Sequence, residues 1–210
     1  MIARVIGQIK SIAASDVEIK DVLSGTVWVV GIRVLSLLLS FLQSVVIARY
    51  LGVDEYGAYA FAYSIATMIA LLAVLGFDRV SLRETAIGEK NKDWAGMQGV
   101  RMLAERTTVL VALVLGVITT LYFLFWQGNS SNASKAAVFA ALLAPWIGLL
   151  RIETGLLRAY RKVRLSQLPD NIVRPILLMA FVLMASSVGI KVTGSLAICL
   201  HAVAAALVVF

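Results

Sequence analysis

Apolar residues gather in six long runs, and the segments between them are short or charged. About 20 apolar residues in an α-helix are enough to cross a hydrocarbon core of about 30 Å. Runs of that kind cover residues 23–48, 56–77, 107–127, 136–157, 169–188 and 191–210. In lipid, backbone N–H and C=O groups must be satisfied within the spanning segment, so each run is expected to be a helix. The pattern predicts an all-α integral membrane protein with a six-helix transmembrane bundle over residues 23–210.

Residues 1–22 read differently. Ile2, Val5, Ile6, Ile9, Ile12 and Ala13 recur at helical spacing, with Arg4, Gln8, Ser11 and Ser15 opposite. That pattern describes either a cytoplasmic amphipathic helix lying in the interface or a frayed polar tail. No unbroken apolar core precedes Leu23, so no cleaved signal peptide is expected. In the long connection after the second run, Asp93 is placed to cap a short interfacial helix with Trp94, Met97, Val100 and Leu103 on one face. Pro169 suits the first turn of the fifth helix. The sixth run reaches Phe210 without a flanking charge, so a chain truncated at its carboxyl end is expected.

Composition sharpens this reading. Hydrophobic residues make up 60% of the chain and charged residues 15%, where soluble domains carry about a quarter charged. Mean hydropathy is +0.91. The net charge of +7 is unevenly placed. Arg4, Lys10 and Lys20 precede the first run; Arg79, Arg83, Lys90, Lys92, Arg101 and Arg106 follow the second; Arg158, Arg161, Lys162 and Arg164 follow the fourth. The remaining connections carry only Arg49, Lys135 and Lys191. Since Lys and Arg near span ends stay cytoplasmic, both termini are expected inside a cytoplasmic (inner) membrane crossed several times. Basic residues spread in this way anchor to membrane lipids and form no patch for nucleic acid. Cys199 lies within an apolar run and has no second cysteine to pair with. No HExxH, phosphate-binding glycine loop or nucleophile elbow occurs, so no catalytic residue, metal or cofactor is expected, and the chain is not expected to be an enzyme.

Polar residues inside the runs carry what functional signal there is. Thr26, Arg33, Ser36, Ser40, Gln43 and Ser44 fall within an arc of about 100° on the first helix. Arg33 lies about 15 Å along the axis from Leu23. A charge there meets either a wet cavity or a carboxylate elsewhere in the bundle. Tyr56, Tyr59, Tyr63 and Thr67 stack along the second helix, with Asp78 returning to the same face. Tyr56 and Tyr59 also fit an interfacial aromatic belt. Arg151 shares a face with Thr154 and Arg158, as a cavity floor or a snorkelling anchor, and Glu153 points away from it. Asp170 and Arg174, four apart, can form a helical ion pair, and Pro175 is expected to kink that helix. His201, the lone histidine, serves either a proton relay or a plain hydrogen bond to a neighbour.

The stretch Val45-Val46-Ile47-Ala48-Arg49-Tyr50-Leu51-Gly52, continuing Val53-Asp54-Glu55-Tyr56-Gly57-Ala58-Tyr59, resembles the corner between the first two helices of the polysaccharide-transporter family. That family includes the O-antigen and lipid-linked oligosaccharide flippases of the multidrug/oligosaccharidyl-lipid/polysaccharide superfamily. Leu75-Gly76-Phe77, Gly155-Leu156-Leu157-Arg158-Ala159, Leu168-Pro169 and Arg174-Pro175 extend the resemblance over essentially the whole chain. It implies alternating access by two bundles, of which this chain is the amino-terminal lobe, so that a carboxyl-terminal half or a second bundle is needed for transport. The cargo it implies is a glycan on a polyprenyl pyrophosphate. Arg33 is then the candidate for the anionic head, and Arg151 and Arg174 add positive potential. Ser36, Ser40, Gln43, Tyr63 and Thr67 would line the cavity and hydrogen-bond sugar hydroxyls. Asp78, Asp170 and His201 are the candidates for ion coupling. The alternative is a non-transporting subunit or inactive fragment of a glycan-export complex. A cation-coupled drug exporter fits less well, since no acidic residue lies between Leu23 and Val53 or between Tyr56 and Phe77.

Overall fold

The computed structural model describes Trp28 and residues 30–127, 132–160 and 163–209. The amino-terminal segment 1–22 and the start of the first run lie outside the described residues. The described chain forms an all-α membrane bundle. Its helices are α1 (Val30–Leu51), α2 (Val53–Val74), α3 (Phe77–Asn91), α4 (Trp94–Tyr122), α5 (Asn132–Ala159), α6 (Leu165–Ser187) and α7 (Gly194–Val209). A π-helical turn, Phe123–Gln127, follows α4, and no strand occurs among the described residues.

Seven helices therefore stand where six were expected, and the extra one is α3. Leu75 and Gly76 end α2 in left-handed conformations, φ 51° and 79°, and Gly76 accepts this without a Cβ penalty. Asp78 thereby leaves the polar face of α2 and sits in the first turn of α3, where an acid suits the helix dipole. The expected short interfacial helix at Trp94 is instead the start of the long α4. Asp93 does cap it, its Oδ1 accepting from Gly96 N–H at 3.0 Å. No breaker follows, and the buried stripe Met97, Ala104, Thr108, Ala112, Gly116 runs unbroken through the expected boundary.

Two further boundaries move. Pro169 does not open the fifth span, because α6 already runs through it as a π-helical turn, Pro169–Val173. Neither Pro169 nor Pro175 has an amide N–H to give, and the widened turn absorbs the mismatch while the helix continues. The last run yields α7, 16 residues and about 24 Å, shorter than the five other apolar helices and than a core of about 30 Å.

The bundle is built around α5, which packs on α2, α3, α4 and α7. Its facing stripes are small: Ala58, Ala62, Ala66, Ala70 and Ala73 on α2, and Ala136, Ala140 and Ala144 on α5, are buried in one cluster. Apolar burial drives helix association only weakly when lipid is the solvent, so close backbone approach through small residues carries the packing. A Cβ on Gly116 would stand 2.9 Å from that of Ala141, which fixes glycine where α4 meets α5. Large side chains point outward instead, among them Leu37, Leu38 and Phe41 on α1 and Leu110, Val117 and Ile118 on α4.

This packing makes a direct prediction. Ala66→Leu inserts bulk into the fully buried α2 seam and is expected to destabilise the purified chain by about 1–3 kcal/mol. Leu71→Ala on the exposed side of the same helix should stay within about 0.5 kcal/mol. Unfolding in detergent titrated with SDS measures both.

Candidate functional site

On α2, Glu55, Tyr56, Tyr59 and Tyr63 recur at three- and four-residue spacing and so share a face. Tyr59 is 5% exposed. Its hydroxyl and His201 Nδ1 on α7 lie 3.0 Å apart and share a hydrogen bond. The Tyr63 ring stacks on His201, centroids 5.1 Å apart and planes at 10°, and lies 6.2 Å from Tyr59. Arg174 Nη2 on α6 donates to the Tyr63 hydroxyl at 3.4 Å and stands 3.0 Å from Asp170 Oδ1. That last contact is an ion pair by distance but is not aligned as a hydrogen bond: Asp170 Oδ1 and Arg174 Nε are both buried without a hydrogen-bond partner. Gln43 of α1 lies within reach of Tyr59. A polar column thus runs from α1 through α2 to α6 and α7.

The column lies deep. Arg174 is nine residues from Leu165 and thirteen from Ser187, about 14 and 20 Å along the axis. A guanidinium at that depth needs a counter-charge, and Asp170 supplies it from one turn earlier on the wide turn of α6.

Glu55 holds the same face of α2 in register at the end of the bundle where α5 and α7 begin. One carboxylate oxygen accepts from Asn132 Nδ2 at 2.8 Å and the other from Gly194 N–H at 2.6 Å. Gly194 opens α7, so the charge also meets the positive end of its dipole. A Cβ at Gly194 would fall 2.7 Å from the Glu55 carbonyl oxygen, so only glycine permits this approach.

The residues singled out in the sequence separate into distinct groups. Gln43, Tyr63, Asp170, Arg174 and His201 come together. The arc on α1 divides, because its inward seam follows Ile32, Ser36, Leu39, Gln43 and Ile47. Ser36 is buried, its hydroxyl donating to the Arg33 carbonyl at 2.8 Å, while Arg33 and Ser40 face outward. Arg33 has no ion-pair partner among the described residues. It lies eighteen residues before Leu51, about 27 Å along the axis, which puts it in the part of the membrane far from the Glu55 end. Thr67 is satisfied by its own helix, donating to the Ser64 carbonyl at 2.8 Å. Arg151 is half-buried on α5 and makes no ion pair among the described residues, while Glu153 pairs with Arg101 at 2.7 Å. Asp78 is remote from the column's face for the reason given above. No group of three or more His, Cys, Asp or Glu side chains gathers among the described residues.

Sequence reasoning missed two members of this arrangement, Glu55 and the buried role of Tyr59. Their signal was present as the 55, 59, 63 spacing, continuous with the inward alanines of α2.

Compared with known families, residues 22–210 match the family described as polysaccharide biosynthesis protein. No curated protein and no solved structure matches the chain.

The column's charge balance can be tested by substitution. Arg174→Met leaves Asp170 without its counter-charge and is expected to cost about 2 kcal/mol, the low side for an ion pair whose acid is partly exposed. Adding Asp170→Asn should recover much of that loss, giving a favourable coupling in a double-mutant cycle read by SDS unfolding.

Proposed function

This chain belongs to the polysaccharide biosynthesis protein family, and we propose on that premise that it is a flippase lobe that helps carry a lipid-linked glycan precursor across the cytoplasmic membrane. The lobe works by alternating access against a second bundle, with both termini inside, and its cargo crosses with no bond made or broken.

The observation that carries this reading is Arg33. An outward-facing guanidinium in an apolar helix, about 27 Å from Leu51 and without an acidic partner among the described residues, is costly to leave against hydrocarbon. Water or an anion at that face removes the cost. A pyrophosphate offers the planar fork several acceptor oxygens, which is what a guanidinium binds best. Ser40 on the same exposed side adds a neutral hydrogen-bonding group suited to sugar hydroxyls. Arg174 plays a different part, since its charge is already matched by Asp170. It ties α6 to Tyr63 through a long 3.4 Å bond next to a π-helical turn, a place where bending needs little rearrangement.

The test is export of the glycan by the complete transporter in cells lacking the endogenous gene, read as surface glycan. Arg33→Ala is expected to reduce export about tenfold or more, the loss of one charged hydrogen-bonding partner, and Arg33→Lys to retain an intermediate level. Export undiminished in Arg33→Ala would remove the basis of the reading, because a snorkelling arginine is dispensable.

A further inference from the structure

Away from the polar column, at the opposite end of the bundle from Glu55, α3, α4 and the end of α5 enclose a cavity of about 280 Å³. Thr85, Trp94, Arg101, Glu153, Leu156 and Tyr160 line it. Its charge is set by one triad. Arg101 Nε donates to Glu105 at 2.6 Å and Nη2 to Glu153 at 2.7 Å. This triad, one guanidinium between two carboxylates, carries a net negative charge, and Arg101 is the cation among the described lining residues. A second observation comes from α3. Thr85 is 1% exposed, yet its hydroxyl has no hydrogen-bond partner. A buried hydroxyl left unpaired is costly, and this one borders a cavity large enough to hold a group that would satisfy it.

The pieces define the ligand's chemistry. Two aromatic rings, Trp94 and Tyr160, beside a carboxylate suit an alkylammonium group. The Thr85 hydroxyl and the remaining lone pairs of Glu153 can both accept N–H donors, which a primary ammonium has and a quaternary one lacks. Position names the carrier. Arg101 lies six residues, about 9 Å, beyond the apolar run that starts at residue 107, which is headgroup depth rather than hydrocarbon or open water. Leu156 gives the cavity an apolar floor of the kind a glycerol backbone covers.

We propose that this cavity, with Thr85 and Glu153 as acceptors and Trp94 and Tyr160 as walls, is a binding site for the primary ammonium head of an aminophospholipid. It is separate from the cargo-binding face and independent of the reading of Arg33.

The experiment uses the full chain, delipidated in detergent and offered equal amounts of dimyristoyl phospholipids with ethanolamine, choline or glycerol heads, with bound lipid read by native mass spectrometry. Ethanolamine lipid should be retained about tenfold over the other two. Thr85→Val removes only the unpartnered hydroxyl, so the unligated chain should unfold no more easily than the wild type while the preference falls about tenfold. Glu153→Gln should also abolish the preference. Equal retention of the three lipids by the wild type, a preference for the glycerol head, or a preference that survives Thr85→Val overturns the site. Free phosphoethanolamine binding as tightly as the lipid overturns its assignment to a lipid, and weaker binding supports it.

Discussion

Close approach of helix backbones is the constraint on which the rest of this bundle depends. Lipid is as apolar as leucine, so α2, α5 and α7 gain little from hiding large side chains and must gain from contact instead. Alanines every three or four residues on α2 and α5 provide that contact, and more than half of the buried cluster is alanine. The consequence reaches polar chemistry. With backbones this near, Glu55 can bridge from α2 to Asn132 on α5 and to the backbone of α7, and Tyr59 can reach His201. Wider spacing would leave Tyr59 and His201 unsatisfied inside the bundle, where no water is at hand to replace the partner.

The same constraint explains how far the sequence could be read. Spanning helices were legible because an apolar run of their length has no soluble alternative. The four-residue spacing of Asp170 and Arg174 allowed an ion pair, and the structure places them 3.0 Å apart. The helix α3 was not legible as a separate element. Its buried face is Ser81, Thr85 and Gly88, small and polar rather than apolar, so no hydrophobic stripe announces it. Continuity of α4 was hidden in a related way. Arg101, Glu105 and Arg106 read as an aqueous connection, yet Arg101 is neutralised by Glu105 on its own helix and by Glu153 on α5, which lets the helix carry charge toward the membrane without a break.

On α1 the polar arc was visible, but which of its residues turn inward was not. That division depends on where the neighbouring helices stand, and Ser36 and Gln43 fall on the inward seam while Arg33 and Ser40 fall beside it. A rotation of about one residue, some 100°, separates a bundle-facing side chain from an outward-facing one, and periodicity alone sets no absolute rotation.

Arg174 and Arg33 therefore differ in kind. Arg174 is enclosed, its counter-charge on the same helix one turn away and its second contact a phenol on α2, so removing either partner acts first on the packing of α6. Arg33 stands on an outward face whose other occupants are apolar apart from Ser40 and Ser44, and Ser44 spends its hydroxyl on the Ser40 carbonyl. A charge with no partner in its own bundle is tolerated at membrane depth only where something outside the bundle meets it. Under the proposed reading, the enclosed arginine holds the lobe's shape and the outward one faces the cargo. One residue type serves both purposes because a guanidinium keeps its charge in either setting, whether satisfied by a carboxylate inside the fold or by an anion beyond it.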